Sequence, residues 1–220
     1  NGSFSMAAEN HLRIARWLTL VVGLLITTSI TGIFSRHSSV AYGASTRSHA
    51  EIAVGDQVTC ALMKSDALYC TGYNASGVLT PGSQSQIEPI PQRVVVPTSN
   101  HYLDHPVQIA AGGQHVCALL STSQVACWGR NSYGNLGTGG SIPNWTNQMG
   151  SPSPVKGVAG VGTLTGVVEI VSGLDMTCAL LTTSGVVCWG ANDYGQLGNG
   201  TSTGSSTPTQ VVGFNGDRKS

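Results

Sequence analysis

Apolar and polar residues alternate with a period of two in three short pairs of segments along the chain. In each pair, two apolar runs flank a polar tip, and this arrangement predicts an antiparallel β-hairpin. In the first hairpin, one face of the leading strand carries Val58, Cys60 and Leu62, and the other carries Ala61 and Met63. Because both faces are largely apolar, we expect each hairpin to lie in a sheet packed between neighbouring sheets.

The three hairpins are copies of one repeat. Each begins with a glycine and contains two cysteines ten residues apart, and the first cysteine recurs after 57 and then 61 residues. A strand-rich repeat of this length is typical of β-propeller blades. The second and third copies share a longer signature, whose members are Gly112, Trp128, Gly129, Asn131, Gly134, Leu136 and Gly137 in the second copy and Gly173, Trp189, Gly190, Asn192, Gly195, Leu197 and Gly198 in the third.

The six cysteines allow fifteen pairings, and the repeat favours one of them. The two cysteines of each copy face each other across the predicted hairpin, at a Cα separation within disulfide range. We therefore expect one disulfide bond inside each hairpin. Six free buried thiols are the alternative, and zinc is disfavoured because nine intervening residues do not match the spacing of structural zinc ligands. The expected bonds are Cys60–Cys70, Cys117–Cys127 and Cys178–Cys188.

The second and third copies closely resemble the repeat of the regulator of chromosome condensation family. The resemblance rests on the Trp-Gly pairs, the Asn-x-Tyr-Gly-x-Leu-Gly segments and recurring Pro-x-x-Val linkers, and it covers residues 50–214. In the first copy Thr71 replaces the tryptophan, so this copy is degenerate. The family forms seven-bladed propellers, so the resemblance implies an all-β partial propeller of about three blades, whose ring further blades or a homo-oligomer would close. We expect the glycines, tryptophans and asparagines of the signature to be structural.

A charge-free apolar segment, Trp17–Phe34, precedes the repeats. Arg13 and Arg16 come before it and small residues follow it, which together predict a secretory signal peptide, with an uncleaved signal anchor or a buried core helix as alternatives. We therefore expect an N-terminal signal or anchor helix, membrane contact only through this helix, and an extracellular, periplasmic or cell-surface location. The predicted units are this segment (1–44), a degenerate first blade (45–98), a second blade with a long loop (99–158), and a third blade with a C-terminal tail (159–220).

The composition and the missing motifs together exclude several classes of function. Charged residues make up 9% of the chain, and 10 Lys and Arg balance 10 Asp and Glu. A protein that binds nucleic acid through phosphates should be basic, so we expect no nucleic-acid partner. The common hydrolase, zinc-protease and phosphate-loop motifs are missing, and we predict no catalysis, no cofactor and no metal. The segment His101–His105 holds two histidines and an aspartate, and we interpret it as a solvated loop, with a weak metal site as the alternative.

A binding role is the hypothesis that remains, because propeller loops present binding residues on a rigid scaffold. We expect an exported module that binds an unidentified protein or cell-surface ligand. The candidates are Trp145, in a long predicted insertion from Gly139 to Leu164, and Tyr133 and Tyr194 in the signature segments, although each could pack on its blade instead. The resemblance also implies guanine-nucleotide exchange with chromatin attachment, an intracellular role that the predicted export disfavours. Carbohydrate or cell-wall adhesion is a third hypothesis.

Overall fold

The structure is a computed structural model of the 220-residue chain, and it describes residues 50–74, 79, 85–96, 101–103, 105–140 and 148–213. The chain divides into two units, Asn1–Ala44 and Ser45–Ser220, and all of the described residues belong to the second. The predicted signal or anchor helix therefore lies outside the described residues. Within the described part of the chain, no helix is long and apolar enough to cross a membrane.

Three four-stranded antiparallel sheets follow one another along the chain, and within each sheet every strand pairs with the next one in sequence. The first blade consists of β1 (Glu51–Val54), β2 (Val58–Leu62), β3 (Leu68–Tyr73) and β4 (Ile87–Arg93). A ribbon of β5 (Val95–Val96) and β6 (His101–Tyr102) leads to the second blade, which consists of β7 (Pro106–Ala111), β8 (His115–Leu120), β9 (Val125–Arg130) and β10 (Gln148–Pro154). A short 3-10 turn, Val158–Gly160, precedes the third blade of β11 (Val167–Ser172), β12 (Met176–Leu181), β13 (Val186–Gly190) and β14 (Ser205–Gln210). The prediction of an all-β fold with three propeller blades is confirmed.

Each predicted hairpin forms the two middle strands of its blade. At the hairpin tips, Asp66, Ser123 and Ser184 adopt left-handed backbone conformations with φ of 62°, 59° and 64°. The two cysteines of each hairpin are register partners on adjacent strands. The structure joins them in three disulfide bonds, Cys60–Cys70, Cys117–Cys127 and Cys178–Cys188, each with its Cα atoms 4.1 Å apart.

The fourth strand of each blade lies where the sequence predicts a linker or a loop. Pro91, Pro154 and Pro208 belong to β4, β10 and β14, and the predicted insertion from Gly139 to Leu164 contains β10. Proline is tolerated in these strands because an outermost strand has one side without a hydrogen-bonding neighbour. The residue after each strand is a buried valine whose backbone N–H donates to the third strand at 2.9 Å, and these bonds run from Val94 to Leu68, from Val155 to Val125 and from Val211 to Val186.

The blades stack face to face in one direction. Each sheet has a disulfide face and an opposite face, which carries the tryptophan in the second and third blades. The disulfide face of one blade packs on the tryptophan face of the next. In the first interface, Cys60 and Cys70 share an apolar core with Val116, Ala118 and Trp128, and in the second, Cys117 and Cys127 share one with Ala179, Val187 and Trp189.

The stacking determines which faces of each blade are buried. The first five residues of β8 are all buried, so the middle blade is covered on both faces. In contrast, β2 buries the side chains that share the face of Cys60, and β12 buries Thr177 and Ala179 on the opposite face. The expectation that both faces of a blade are covered therefore holds, for the described residues, in the middle blade alone.

Glycines allow the blades to approach each other at the turns between their first and second strands. A Cβ on Gly55 would overlap the carbonyl oxygen of Gly112, and a Cβ on Gly112 would lie 2.6 Å from the carbonyl oxygen of Gly173. The backbone N–H of Gly113 also donates to the carbonyl oxygen of Leu174 at 2.7 Å. Gly55 and Gly112 therefore allow the close approach of the first blade to the second and of the second blade to the third.

Candidate functional site

One rim of the stack carries two sets of segments. The first set comprises the turns between the first and second strands, which contain Gln57, Gln114 and Asp175. The second set comprises the turns that follow the third strands, which contain Tyr133 and Tyr194. We call this side the tyrosine rim. The opposite side carries the hairpin tips, and we call it the hairpin-tip rim.

A buried asparagine fixes the backbone beneath each turn of the second set. Asn192 is 1% exposed, and its Oδ1 accepts the backbone N–H of Leu197 at 2.9 Å. Its Nδ2 donates to the carbonyl oxygens of Thr201 and Thr203 at 2.9 and 3.0 Å. The same bond to Oδ1 recurs from Leu136 to Asn131 and from Leu79 to Asn74. Each side-chain oxygen therefore holds the backbone of its turn, which gives the three asparagines a structural role.

The signature tryptophans lie between blades. Trp189 is fully buried, and its indole Nε1 donates to the carbonyl oxygen of Asn135 on the preceding blade at 3.0 Å. A Cβ on Gly137 would lie 2.8 Å from this nitrogen, so the signature glycine leaves room for the indole of the next blade. In the first blade Thr71 occupies the equivalent position, and it donates instead to the carbonyl oxygen of Glu88 at 2.7 Å. Among the described residues no blade precedes the first one, so Thr71 does not lie at an interface with a preceding blade.

The two signature tyrosines differ in exposure. Tyr133 is half-buried, whereas Tyr194 is 95% exposed. The backbone of Tyr194 is nevertheless fixed, because its N–H donates to Gln196 Oε1 at 2.9 Å and Gly195 follows at a φ of 73°. Tyr194 thus does not pack on its blade, which was the alternative interpretation of this residue. The third candidate, Trp145, lies outside the described residues.

Polar side chains link the blades along the tyrosine rim. Gln114 Nε2 donates to Gln57 Oε1 at 2.8 Å across the first interface. Arg130 Nη1 donates to Gln114 Oε1 at 3.2 Å, and Arg130 Nε donates to Ser132 Oγ at 2.7 Å. Burial raises the pKa of Asp175 on the third blade, and the charge of Arg130 acts in the opposite direction. No sequence motif predicts this network, because its members come together only when the blades stack.

Exposed apolar side chains accompany this network. Leu174 is 63% exposed in the turn before β12, and Tyr73 is 37% exposed at the end of β3. Together with Tyr194, they give the tyrosine rim apolar groups beside hydrogen-bonded polar groups. This combination is typical of surfaces that bind other proteins.

Neither His105 nor His115, the two histidines whose side chains the structure describes, forms a reactive site. His115 Nε2 lies 2.9 Å from Thr177 Oγ1 across the second interface, and both residues are fully buried. Burial lowers the pKa of His115 to about 4. A histidine beside a hydroxyl can activate a nucleophile, but no substrate can reach this pair, which instead joins two blades. His105 Nδ1 lies 3.4 Å from Asp66 Oδ2 at the hairpin-tip rim, and Asp104 of the alternative metal site lies outside the described residues. Within the described ranges, no cluster of three or more His, Cys, Asp and Glu could hold a metal ion.

Three similar sheets stacked in one direction define part of a β-propeller built from one repeated unit. A sequence profile described as the regulator of chromosome condensation (RCC1) repeat matches residues 65–119, 124–180 and 185–219, and a second profile of that repeat matches residues 107–135 and 167–196. The chain therefore belongs to the RCC1 repeat family. The first two long matches run from one hairpin tip to the next, so each joins the third and fourth strands of one blade to the first and second strands of the next, and the third match contains β13 and β14.

Individual relatives share the repeats but are longer. The probable E3 ubiquitin-protein ligase HERC4 of Rattus norvegicus is 32% identical over 162 residues, which are 73% of this chain and 14% of that protein. Yeast RCC1 (Prp20), in its crystal structure with Kap60, has a TM-score of 0.59 at 19% identity, over 73% of this chain and 36% of that one. Prp20p of Saccharomyces cerevisiae, in a second structure described with its binding to Gsp1p and histones, has a TM-score of 0.55 at 20% identity, over 73% and 37%. At these sequence identities, the structural similarity shows that the chain shares the fold of the matching part of Prp20.

Proposed function

We propose that this chain is an exported RCC1-repeat module that binds a protein partner through the tyrosine rim and catalyses no reaction. The observation that carries the proposal is the contrast between Tyr194, which is 95% exposed, and Asn192, which is 1% exposed and holds the turn in place. An aromatic ring on a fixed turn loses little conformational freedom when a partner covers it. Large aromatic side chains that become buried in this way dominate many protein–protein interfaces.

The surroundings of Tyr194 favour a protein partner. Leu174 adds a second exposed apolar side chain on the same rim. Gln57, Gln114 and Arg130 are already bonded to one another, so a partner meets a preorganised polar surface. Prp20p has been described as binding the proteins Gsp1p and histones, and protein binding by the related blades of this chain is compatible with that property.

One feature of the sequence and one feature of the structure support export. The apolar segment Trp17–Phe34 follows two arginines, as in a secretory signal or anchor. All six cysteines are paired in disulfide bonds, which persist in oxidising compartments and are rare in the cytosol. We therefore favour a partner outside the cytoplasm over an intracellular nucleotide-exchange role.

Photo-crosslinking tests whether a protein partner binds at the tyrosine rim. A benzophenone amino acid is placed at position 194 in the full chain, and a matched chain carries it at Val161, which is 78% exposed in the connection between β10 and β11. Both are offered to the proteins of the source cell surface and culture medium. The proposal predicts a crosslinked protein from position 194 and none from position 161, with competition by unlabelled wild-type chain but not by the Tyr194→Ala chain. Equal crosslinking from both positions, or equal competition by both chains, would contradict it.

Cell fractionation tests export separately. The full chain should appear in the periplasm, at the cell surface or in the medium, whereas a chain that lacks residues 6–44 should remain in the cytoplasm. Retention of the full chain in the cytoplasm would refute export, but it would leave the evidence for binding at the tyrosine rim unchanged.

A further inference from the structure

Three segments of residues 45–220 match the Asn-x-Ser/Thr pattern that accepts N-linked glycans in exported proteins, and they begin at Asn74, Asn144 and Asn199. The pattern alone does not tell which of these asparagines can carry a glycan, because a glycan is bulky and must lie at the surface. Asn144 lies outside the described residues. The structure describes Asn74 and Asn199, and their environments differ.

Asn74 is enclosed by its own turn. It is 2% exposed, and its Nδ2, the atom to which a glycan would be attached, donates to the carbonyl oxygen of Ser85 at 3.1 Å. Its Oδ1 accepts the backbone N–H of Leu79. A glycan on this nitrogen would displace the amide from its turn, so folded chains should carry none at Asn74.

Asn199 lies in the loop between β13 and β14, where it is half-buried and is followed by the exposed residues Gly200 and Thr201. Its Oδ1 accepts the hydroxyl of Thr201 at 2.9 Å and the backbone N–H of the same residue at 3.1 Å. Among the described residues, its Nδ2 donates to no partner. The loop therefore holds the amide through its oxygen and leaves its nitrogen available.

The access to Asn199 does not depend on the uncovered face of the third blade. The equivalent segment of the second blade is 138–140, which follows Gly137 as 199–201 follows Gly198. The first and last residues of this segment are half-buried and Gly139 is exposed, although the third blade packs over the second. This part of a blade therefore stays accessible when the next blade is in place.

We propose that Asn199 is an N-glycosylation site of the exported chain, and this inference rests on the export part of the proposed function. The donor is an oligosaccharide whose anomeric carbon is bonded to a lipid diphosphate. Asn199 Nδ2 forms a bond to that carbon and loses one proton, while the bond between the carbon and the diphosphate oxygen breaks. The lipid diphosphate leaves with the bonding electron pair, so the transfer needs no oxidant or reductant.

Glycopeptide mapping tests the proposal. A eukaryotic cell line that performs N-glycosylation expresses the full chain and a second chain, in which a host signal peptide replaces the separate unit Asn1–Ala44. Protein is recovered from the medium and from the secretory compartments, and mass spectrometry of intact glycopeptides gives the glycan occupancy of each asparagine. In secreted protein we expect an occupancy at Asn199 at least about tenfold higher than at Asn74, because only Asn199 is accessible.

The second chain separates this proposal from export by the chain's own apolar segment. A glycan on Asn199 of the second chain alone would refute that export but would support the acceptor site. Recovery of either chain from the secretory pathway with Asn199 unmodified would overturn the glycosylation proposal and leave the evidence for export unchanged.

Single substitutions in the two motifs are matched controls. Thr201→Ala removes the hydroxyl of the motif and should abolish the glycan on Asn199, whereas Thr201→Ser keeps a hydroxyl and should retain it. Ser76→Thr gives Asn74 the same Asn-x-Thr motif, and Asn74 should still lack a glycan in secreted protein. Equal occupancy of Asn74 and Asn199 in the Ser76→Thr chain would show that the local motif decides the occupancy, and the argument from burial would then be wrong.

Discussion

Replacing Gly112 by alanine should destabilise the chain, because this glycine lies where the second and third blades touch. A Cβ there would be 2.6 Å from the carbonyl oxygen of Gly173 and closer still to the imidazole of His115. The carbonyl belongs to backbone and the imidazole is fully buried, so neither can move away easily. Overpacking of this kind costs about 1–3 kcal/mol, and we expect Gly112→Ala to lower the free energy of unfolding by about 2 kcal/mol.

Gly173→Ala is the matched control. Gly173 is the equivalent residue of the third blade, but a Cβ there would meet only the side chain of Met176, at 3.2 Å from its Cγ. A flexible methionine can shift by the few tenths of an ångström required. We therefore expect Gly173→Ala to change the free energy of unfolding by less than about 0.5 kcal/mol.

Urea unfolding of the oxidised full-length chains, followed by circular dichroism, measures both effects by linear extrapolation. The reasoning requires a clear loss for Gly112→Ala and little change for Gly173→Ala. Equal losses for the two variants, or a loss for Gly173→Ala alone, would refute the stacking of the second blade on the third.

Further predictions concern the interface side chains and the exposed tyrosine. Trp189→Phe should lower the free energy of unfolding by about 1–3 kcal/mol in the same assay, because it leaves the buried carbonyl oxygen of Asn135 without its indole donor; a neutral result would contradict this bond. Tyr194→Ala should change that free energy by less than about 0.5 kcal/mol, since the side chain is 95% exposed; a large loss would show that the ring packs on the fold. Acidification should destabilise the chain through His115, whose pKa is about 4 when folded and 6.5 ordinarily, so the unfolded chain takes up the proton first. The loss should begin as the pH falls below about 6.5 and level off below about 4, at roughly 3 kcal/mol. His115→Met, which copies Met176, should remove this part of the pH dependence; an unchanged slope would exclude His115 as its source.

The central hairpins could be predicted because the signal for them is local. Alternation of apolar residues placed Cys60 and Cys70 on one face, and the repeat supported the same register three times. The outer strands could not be predicted in this way. Pro154 and Pro208 are unusual in strands, and they are accommodated because each lies in an outermost strand of its blade.

The direction in which the blades stack could not be predicted from the sequence, because the two faces of the middle blade have similar compositions. Val116 and Cys117 are neighbours on opposite faces of β8, and both are fully buried. His115 was missed as an interface residue because a single histidine gives no pattern. The apolar residues Val58 and Met176 at the equivalent positions were the signal that this position is a core position.

The exposed tyrosine of the candidate site was only partly predictable. Tyr133 and Tyr194 have nearly the same sequence neighbours, yet one is half-buried and the other projects into solvent. Their exposure depends on what the folded chain brings next to each turn, which a local signature does not encode. The network of Gln57, Gln114 and Arg130 was hidden for the same reason, since it bridges residues far apart in sequence.

The central claim is that this chain is a stack of blades, and that a disulfide bond cross-links the two middle strands of each blade at the same register position. Peptide mapping of the oxidised protein without reduction tests this most directly. The account predicts three linked peptide pairs only, joining Cys60 to Cys70, Cys117 to Cys127 and Cys178 to Cys188. An abundant link between cysteines of different blades would contradict it.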